Sequence, residues 1–339
     1  MCEHDNDNEN SNNNNGLIEK SKQEKEKDER EYLEYLKYRK EIIDSHCHIH
    51  EDIEHLQESC DLPFKKVLLM GTTVEDWDRV NQLADKINND DKVIRCFGIH
   101  PWFVYNYLPP TELIGQVLKE GEITTNNSNN NDSSSSSNSN KNIIKIDETW
   151  KIKMKEQLIK YPNSMVGEIG IDKVTKVRLN GLNRNDQDSQ MKVFKDQIEI
   201  ANELGRLVSL HCVQLQGKLL TFFQSLSIDK FPPSIALHTF GGKPATVDQF
   251  CKMASGKGDR FYFGLSFINL SSSKVDKLIQ AIPDDRLLLE SDQNSPTEAE
   301  PSMFKLIQKV SSSKNWTIQK TIEQTTLNTI NFLSKQIKK

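Results

Sequence analysis

The chain has no apolar run long enough to span a bilayer, and its opening residues, MCEHDNDNEN, hold no apolar leader core. A cytoplasmic protein with no membrane partner is expected, with the nucleus left open as a second compartment. A basic excess is missing too, since 44 Lys and Arg stand against 49 Asp and Glu for a formal net charge of -5. No global positive field draws the protein to nucleic acid, so any such contact must be local. The 6 cysteines never fall as CxxC, and several sit in apolar runs such as VIRCFGI. That spacing points to free, buried thiols rather than disulfides or a cysteine-zinc site. Nor is there a Gly-rich phosphate turn after the first candidate strand, where IDSHCHIH stands instead. Its absence argues against an open dinucleotide-binding sheet.

Hydrophobic residues are also scarce, at 35% of 339 positions. The deficit is concentrated in polar stretches that cannot build a core. Residues 1 to about 16 form a polar tail expected to be disordered. The whole of 1–40 reads as a charged arm, disordered or helical, with Tyr32, Leu33, Tyr35 and Leu36 suggesting a short helix near its end. This arm is the candidate contact for a protein partner. Residues 124–142, TTNNSNNNDSSSSSNSNKN, form a low-complexity Asn/Ser insertion expected to be a disordered surface loop. What is left, 41–339 without that insertion, is rich enough in apolar residues for one domain.

Within that domain, short β-rich runs alternate with amphipathic helical ones. The candidate strands are 41–46 (EIIDSH), 66–71 (KVLLMG), 93–100 (VIRCFGIH), 164–170 (SMVGEIG), 206–211 (RLVSLH), 234–240 (SIALHTF), 260–266 (RFYFGLS) and 286–292 (RLLLESD). Helical periodicity fills the gaps, as in QMKVFKDQIEIANELG, where Met191, Phe194, Ile198 and Ala201 share a face and Gly205 supplies a stop. Strands each followed by a helix make the expected fold class α/β, a (β/α)8 TIM barrel.

The chemistry-bearing residues fall at the ends of these strands. His46 and His48 close the first, Glu168 ends the fourth, His211 the fifth, His238 lies near the end of the sixth, and Asp292 ends the eighth. In a barrel all strand C-termini open onto one face, so the six can share a pocket. Positions two apart on an extended chain point to one side, which lets both imidazoles of HCH reach a single ion. Four imidazoles with two carboxylates suit zinc, manganese or iron better than the oxygen-seeking magnesium.

The motifs around these residues resemble those of the TatD deoxyribonuclease family of metal-dependent hydrolases, within the amidohydrolase-like superfamily. IDSHCHIH resembles its DxHCH opening, GIHPW its GxHP turn, and VGEIGID its GEIGLD signature. SLHCV, LHTFGG and RLLLESD follow in the family order, and the helix carrying Gln190, Phe194, Gln197, Ala201 and Leu204 matches as well. The similarity spans about 42 to 333. It implies a barrel with two divalent ions, Mg, Mn or Zn, and hydrolysis of phosphodiester bonds with DNA as substrate. Carried over, His46 and His48 would hold one ion, His211 and His238 the other, and Glu168 would bridge them. Asp292 would bind metal and act with Glu168 in catalysis by orienting the attacking water, and His100 would contact substrate.

Around these lie residues with open roles. Asp44 could orient an imidazole or serve a local turn. Asp172 could hold the loop after Glu168 or pair with a nearby cation, and Cys47 should face the packing side. Lys173, Lys176, Arg178 and Arg184 in 173–187 form either a phosphate-gripping rim or a solvated loop. The chain departs from the family where Trp102 replaces a frequent histidine, Val213 a frequent arginine, and Gln293-Asn294 the segment that usually carries proline. Trp102 could stack on a base or pack the loop. A related enzyme acting on a small amide, ester or phosphoester and a barrel serving as an adaptor are the competing functions. Glu168, where many amidohydrolases carry a modified lysine, favours the nuclease.

Overall fold

The computed structural model describes residues 8–89, 91–107, 148–175, 177–179, 182–184 and 187–337. The insertion 124–142 and residues 1–7 of the tail lie outside them, as do the side chains of Lys176, Arg178 and Arg184. The expected strands all form: β1 (Ile43–Cys47), β2 (Lys66–Met70), β3 (Val93–Phe97) and β4 (Met165–Asp172) come first. After a hairpin of β5 (Val177–Leu179) and β6 (Leu182–Arg184) follow β7 (Val208–Val213), β8 (Ile235–Leu237), β9 (Phe261–Leu265) and β10 (Leu287–Leu289). Without the hairpin they make one 8-stranded sheet in the order β1-β2-β3-β4-β7-β8-β9-β10. Every pairing in it is parallel. Past β10 the chain closes the circle on β1, with Asp292 N donating to His46 O at 3.0 Å and His48 N to Gln293 O at 2.9 Å.

Parallel strands need long crossovers, and helices supply them. Among the described residues these are α2 (Leu56–Asp61), α3 (Trp77–Ile87), α4 (Thr149–Lys160), α5 (Gln187–Glu203), α6 (Gln216–Ser225), α7 (Pro244–Cys251) and α8 (Val275–Ala281), while α9 (Pro296–Lys314) comes after the last strand. The terminal α10 (Ile318–Leu333) follows, and α1 (Asn8–Tyr38) precedes β1. In α5 the anticipated face of Met191, Phe194, Ile198 and Ala201 is buried. Gly205, at φ 65°, ends that helix while Arg206 N reaches back to Ala201 O at 2.7 Å.

Because side chains alternate along a strand, two cores result. Val67 and Leu69 of β2, like Leu210 of β7 and Phe261 and Phe263 of β9, face the helices. Leu68 and Met70 face inward with Ile94, Cys96, Met165, Leu207, Ala236, Tyr262 and Leu288. Cys47 belongs to the outer core, as expected, and Cys96 to the inner one; Cys60, Cys212 and Cys251 are free but only partly buried. The N-terminal arm is helical over a longer stretch than its aromatic residues alone suggest. Its end is tied to the barrel: Tyr35 is buried against Phe304 with ring centroids 5.0 Å apart, and Arg39 meets Glu300 at 2.6 Å. Glu34 also accepts from Gln319 N at 3.0 Å in the first turn of α10, where an anion is favoured.

Phe332 of α10 is fully buried in the inner cluster, its ring 5.3 Å from that of Tyr262. Phe332→Ala should therefore open a cavity in the barrel and destabilise the protein by about 3–5 kcal/mol in urea unfolding. A loss below about 1 kcal/mol would show that the interior packs without it.

Candidate metal centre

Along the inward register, aliphatic residues give way to titratable ones as the strands approach their C-terminal ends. Ala236 is followed by His238 and Leu288 by Glu290, while Glu168 stands in the middle of β4, after Met165, rather than at the end of the strand as expected. The six predicted ligands meet there. His46 Nε2 and His48 Nε2 lie 3.2 Å apart, at 3.4 and 3.3 Å from Glu168 Oε2 and at 3.7 and 3.8 Å from Asp292 Oδ1. The second pair faces the other carboxylate oxygen: His211 Nδ1 and His238 Nε2 stand 2.8 and 2.9 Å from Glu168 Oε1 and 3.2 Å from each other. His100 also arrives, its Nε2 3.3 Å from Oε1.

The outer ring nitrogens decide what the inner ones can do. His48 Nδ1 lies 3.0 Å from the Met70 carbonyl and His211 Nε2 3.3 Å from Asp172 Oδ2, both acceptors that fix the proton on the outside. His238 Nδ1 is 3.3 Å from Glu290 Oε1, close enough for charge attraction though not aligned as a hydrogen bond. His46 Nδ1 meets the Ser209 hydroxyl at 2.9 Å. When neutral, His48 and His211 therefore aim lone pairs inward, as metal-ligating histidines require. His100 is reversed, because its Nδ1 accepts from Trp102 N at 3.2 Å. When that ring is neutral its proton must sit on Nε2, so His100 faces the site as a donor.

Several positioning residues carry no sequence signal of their own. Gln197 of α5 accepts from Ile99 N at 2.7 Å and donates to Ile99 O at 3.1 Å, which fixes the peptide before His100. Two turns earlier, Gln190 does the same for Asp172, at 2.7 and 3.1 Å. The family-like helix pattern contained both glutamines; their function as peptide clamps appears only in three dimensions. Thr239 Oγ1 bonds Glu290 Oε1 at 2.9 Å and Asp292 Oδ2 at 3.0 Å, and Thr239 N also donates to Glu290. Thr239 and Asp292 both hold left-handed backbone, at φ 40° and 54°, a conformation that costs energy and gathers at functional sites. At Gly98 a Cβ would collide with the Glu168 carbonyl.

Asp44 does not orient an imidazole. Its Oδ1 accepts from Ser291 N at 2.9 Å and His46 N at 3.3 Å, which ties β1 to the chain after β10. Asp172 does reach a ligand ring: besides His211 it holds Trp102 Nε1 at 2.8 Å and Val174 N at 2.7 Å. Trp102 itself stays 55% exposed at the pocket mouth while its ring rests edge-on against His100.

Burial would raise Glu168, yet His100, His238 and His46 around it hold the carboxyl well below the usual range. Burial works against charge on His48, but Glu168 outweighs it and raises that imidazole to about 9. Burial lowers His100 to about 4, which keeps it neutral near pH 7. The donor chemistry fits metal ions. Two imidazole lone pairs 3.2 Å apart repel unless a proton or a cation lies between them, and His46, His48 and Asp292 bring their donor atoms within 4.8 Å. The cavity above them measures about 440 Å³. A smaller group, His50–Glu51–Asp76, lies beside it, with His50 and Asp76 paired at 3.1 Å.

Comparison with known proteins agrees with this geometry. The Schizosaccharomyces pombe protein described as "Cut9-interacting protein scn1" is 29% identical over 86% of this chain and 98% of its own. A Saccharomyces cerevisiae protein described as an uncharacterised deoxyribonuclease is 22% identical over 74% of this chain and 83% of its own. A crystal structure of a TatD-family hydrolase from Entamoeba histolytica has the same fold, with a TM-score of 0.62 at 13% identity, covering 86% of this chain and 97% of that one. The family described as "TatD related DNase" matches residues 43–334, so the chain belongs to the TatD-related DNase family of metal-dependent hydrolases.

Proposed function

We propose that this barrel is a nuclease that cleaves phosphodiester bonds of DNA by attack of water, with two divalent cations held by the six converging ligands. The observation that carries the reading is the division of Glu168: Oε2 faces His46 and His48, while Oε1 faces His211 and His238. A carboxylate so placed can bridge two cations and offset part of their mutual repulsion. The cations would supply Lewis acidity toward a water and the phosphoryl oxygens.

The protein's own groups do the rest. Asp292 is the proton acceptor for the attacking water, because Thr239 occupies its Oδ2 and leaves Oδ1 turned toward His46 and His48. His100, with its proton facing inward, donates to a phosphate oxygen. Asp172 and Glu290 hold His211 and His238 in orientation. The free thiols of the described cysteines suit a reducing compartment, in keeping with a cytosolic or nuclear nuclease.

A second reading, binding of a protein partner through the arm, is supported by the name of the fission-yeast relative. In this reading α1 is anchored by Tyr35 and Arg39 and leaves Tyr32 and Leu33 exposed. Replacing Tyr32 and Leu33 together by alanine keeps those anchors; it should abolish co-purification with the Cut9 counterpart while cleavage continues. Co-purification that survives the double substitution places the contact elsewhere.

Two measurements test the enzymatic reading. On single- and double-stranded DNA with magnesium, manganese or zinc, cleavage should depend on the ion. Glu168→Ala should abolish it, and Asp292→Asn should lower kcat by about 10²–10⁴-fold. Undiminished activity in both variants would mean the site is misassigned, and hydrolysis only of small amides or esters would identify the competing enzyme. Binding to the folded state alone should also raise stability, by about 2.7 kcal/mol at a hundred times Kd, and this gain should vanish in Glu168→Ala. A thermal transition that ignores manganese and zinc would rule out the metal centre.

A further inference from the structure

Two exposed apolar side chains stand at the mouth of the metal pocket. Trp102, 55% exposed, follows β3, and Ile268, 56% exposed, follows β9. These strands are third and seventh in the 8-stranded order, so the two residues rise from opposite sides of the barrel. Both line the cavity that reaches down to Glu168, His100 and His211. The indole is not free to swing. Its Nε1 donates to Asp172 Oδ2 at 2.8 Å, and its ring meets His100 edge-on, with centroids 4.9 Å apart and planes at 89°.

Such a side chain is a fixed plane with a solvent-facing surface. The two side chains line one cavity together, which sets them apart from apolar residues scattered singly over a surface. Among the described residues lining the cavity there is no lysine or arginine, so these residues offer a substrate an apolar and aromatic surface instead of a cation. A volume of about 440 Å³ accommodates one terminal residue of a polymer, not a duplex. The chemical group that suits an indole opposite an aliphatic side chain is a flat, unpaired heteroaromatic ring.

We infer that Trp102 and Ile268 form a clamp for a single nucleobase at the end of a nucleic-acid strand. The base stacks on the indole while its phosphodiester reaches Glu168, Asp292 and His100. This inference rests on the nuclease reading above and adds what selects the substrate. Asp172 makes the clamp part of the catalytic geometry, because the same Oδ2 holds Trp102 and, at 3.3 Å, His211. The plane for the base and a ligand ring are thereby kept at a fixed separation. Every base has a π-face, so the clamp requires a base without reading which one.

The test compares single-stranded oligonucleotides that end in an ordinary residue with ones carrying an abasic residue at the 3′ or the 5′ end. Loss of the base at the attacked end should lower kcat/KM by roughly 5- to 150-fold, mainly through KM. Trp102→Ala should collapse the ratio between the two substrates toward one. Trp102→Phe should preserve it, since the aromatic plane remains although its bond to Asp172 is lost. Equal rates on both ends in the wild type, or an equal slowing of both by Trp102→Ala, would overturn the clamp. If no oligonucleotide is cleaved with any divalent ion, the nuclease reading fails by itself. The clamp is then decided by whether deoxyadenosine monophosphate quenches tryptophan fluorescence in the wild type and not in Trp102→Phe; a wild type without quenching would refute it.

Discussion

A buried carboxylate shared between two pairs of imidazoles is the constraint on which the rest of this barrel depends. Taking an ionised Glu168 out of water costs several kcal/mol unless partners replace its hydration, and here the partners are ring nitrogens at 2.8 to 3.4 Å. They come from β1, β7 and the end of β8, which no local segment of chain could bring together. Closing eight strands into a circle places their C-terminal ends around one axis. The barrel is thus the means by which distant strands solvate one anion, and the anion in turn fixes how the strands must end.

Holding that arrangement falls to groups farther out. Both glutamines of α5 sit on its buried face, seven residues apart, so each meets a different strand end two helical turns from the other. They pair the buried peptides of Ile99 and Asp172, each through one donor and one acceptor. Gly98 permits β3 and β4 to approach so closely that only a hydrogen fits against the Glu168 carbonyl. Asp44 joins β1 to the chain beyond β10, where the sheet has to close. These contacts make the position of the ligands a property of the whole barrel.

Much of this was legible in the sequence. Alternation and turn spacing located all eight barrel strands to within a few residues, since strands buried on both faces leave continuous aliphatic runs. The six converging residues stood out because histidine and acid recurring at strand ends are otherwise hard to explain. Other features were not readable. Glu290 sits two residues before Asp292, and its partners Thr239, Ser45 and His238 come together only in the folded barrel. Ser209 resembles any small polar residue until His46 is found beside it. The hairpin of β5 and β6 does carry a signal, since Val177 and Leu179 alternate with Arg178 and Asn180-Gly181 is a two-residue hairpin-turn sequence, but its basic residues point as readily to a solvated loop. The length of α1 lies in charged and polar residues whose helical state no apolar stripe announces.

His100 shows why spacing alone could not sort five histidines into roles. By residue type and distance it is equivalent to the others: its Nε2 is 3.3 Å from Glu168, as close as His48. The difference is on the far side of the ring, where a backbone N–H from Trp102 takes the lone pair that would otherwise be free to exchange places with the proton. The turn that delivers this N–H is the one stiffened by Pro101, so GIHPW encodes a proton position as well as a loop shape. The imidazoles of His48 and His211 have acceptors behind them and present lone pairs to the centre. His100 has a donor behind it and presents a proton. Whether a neutral imidazole here presents a lone pair or a proton to the centre thus turns on one contact outside the pocket.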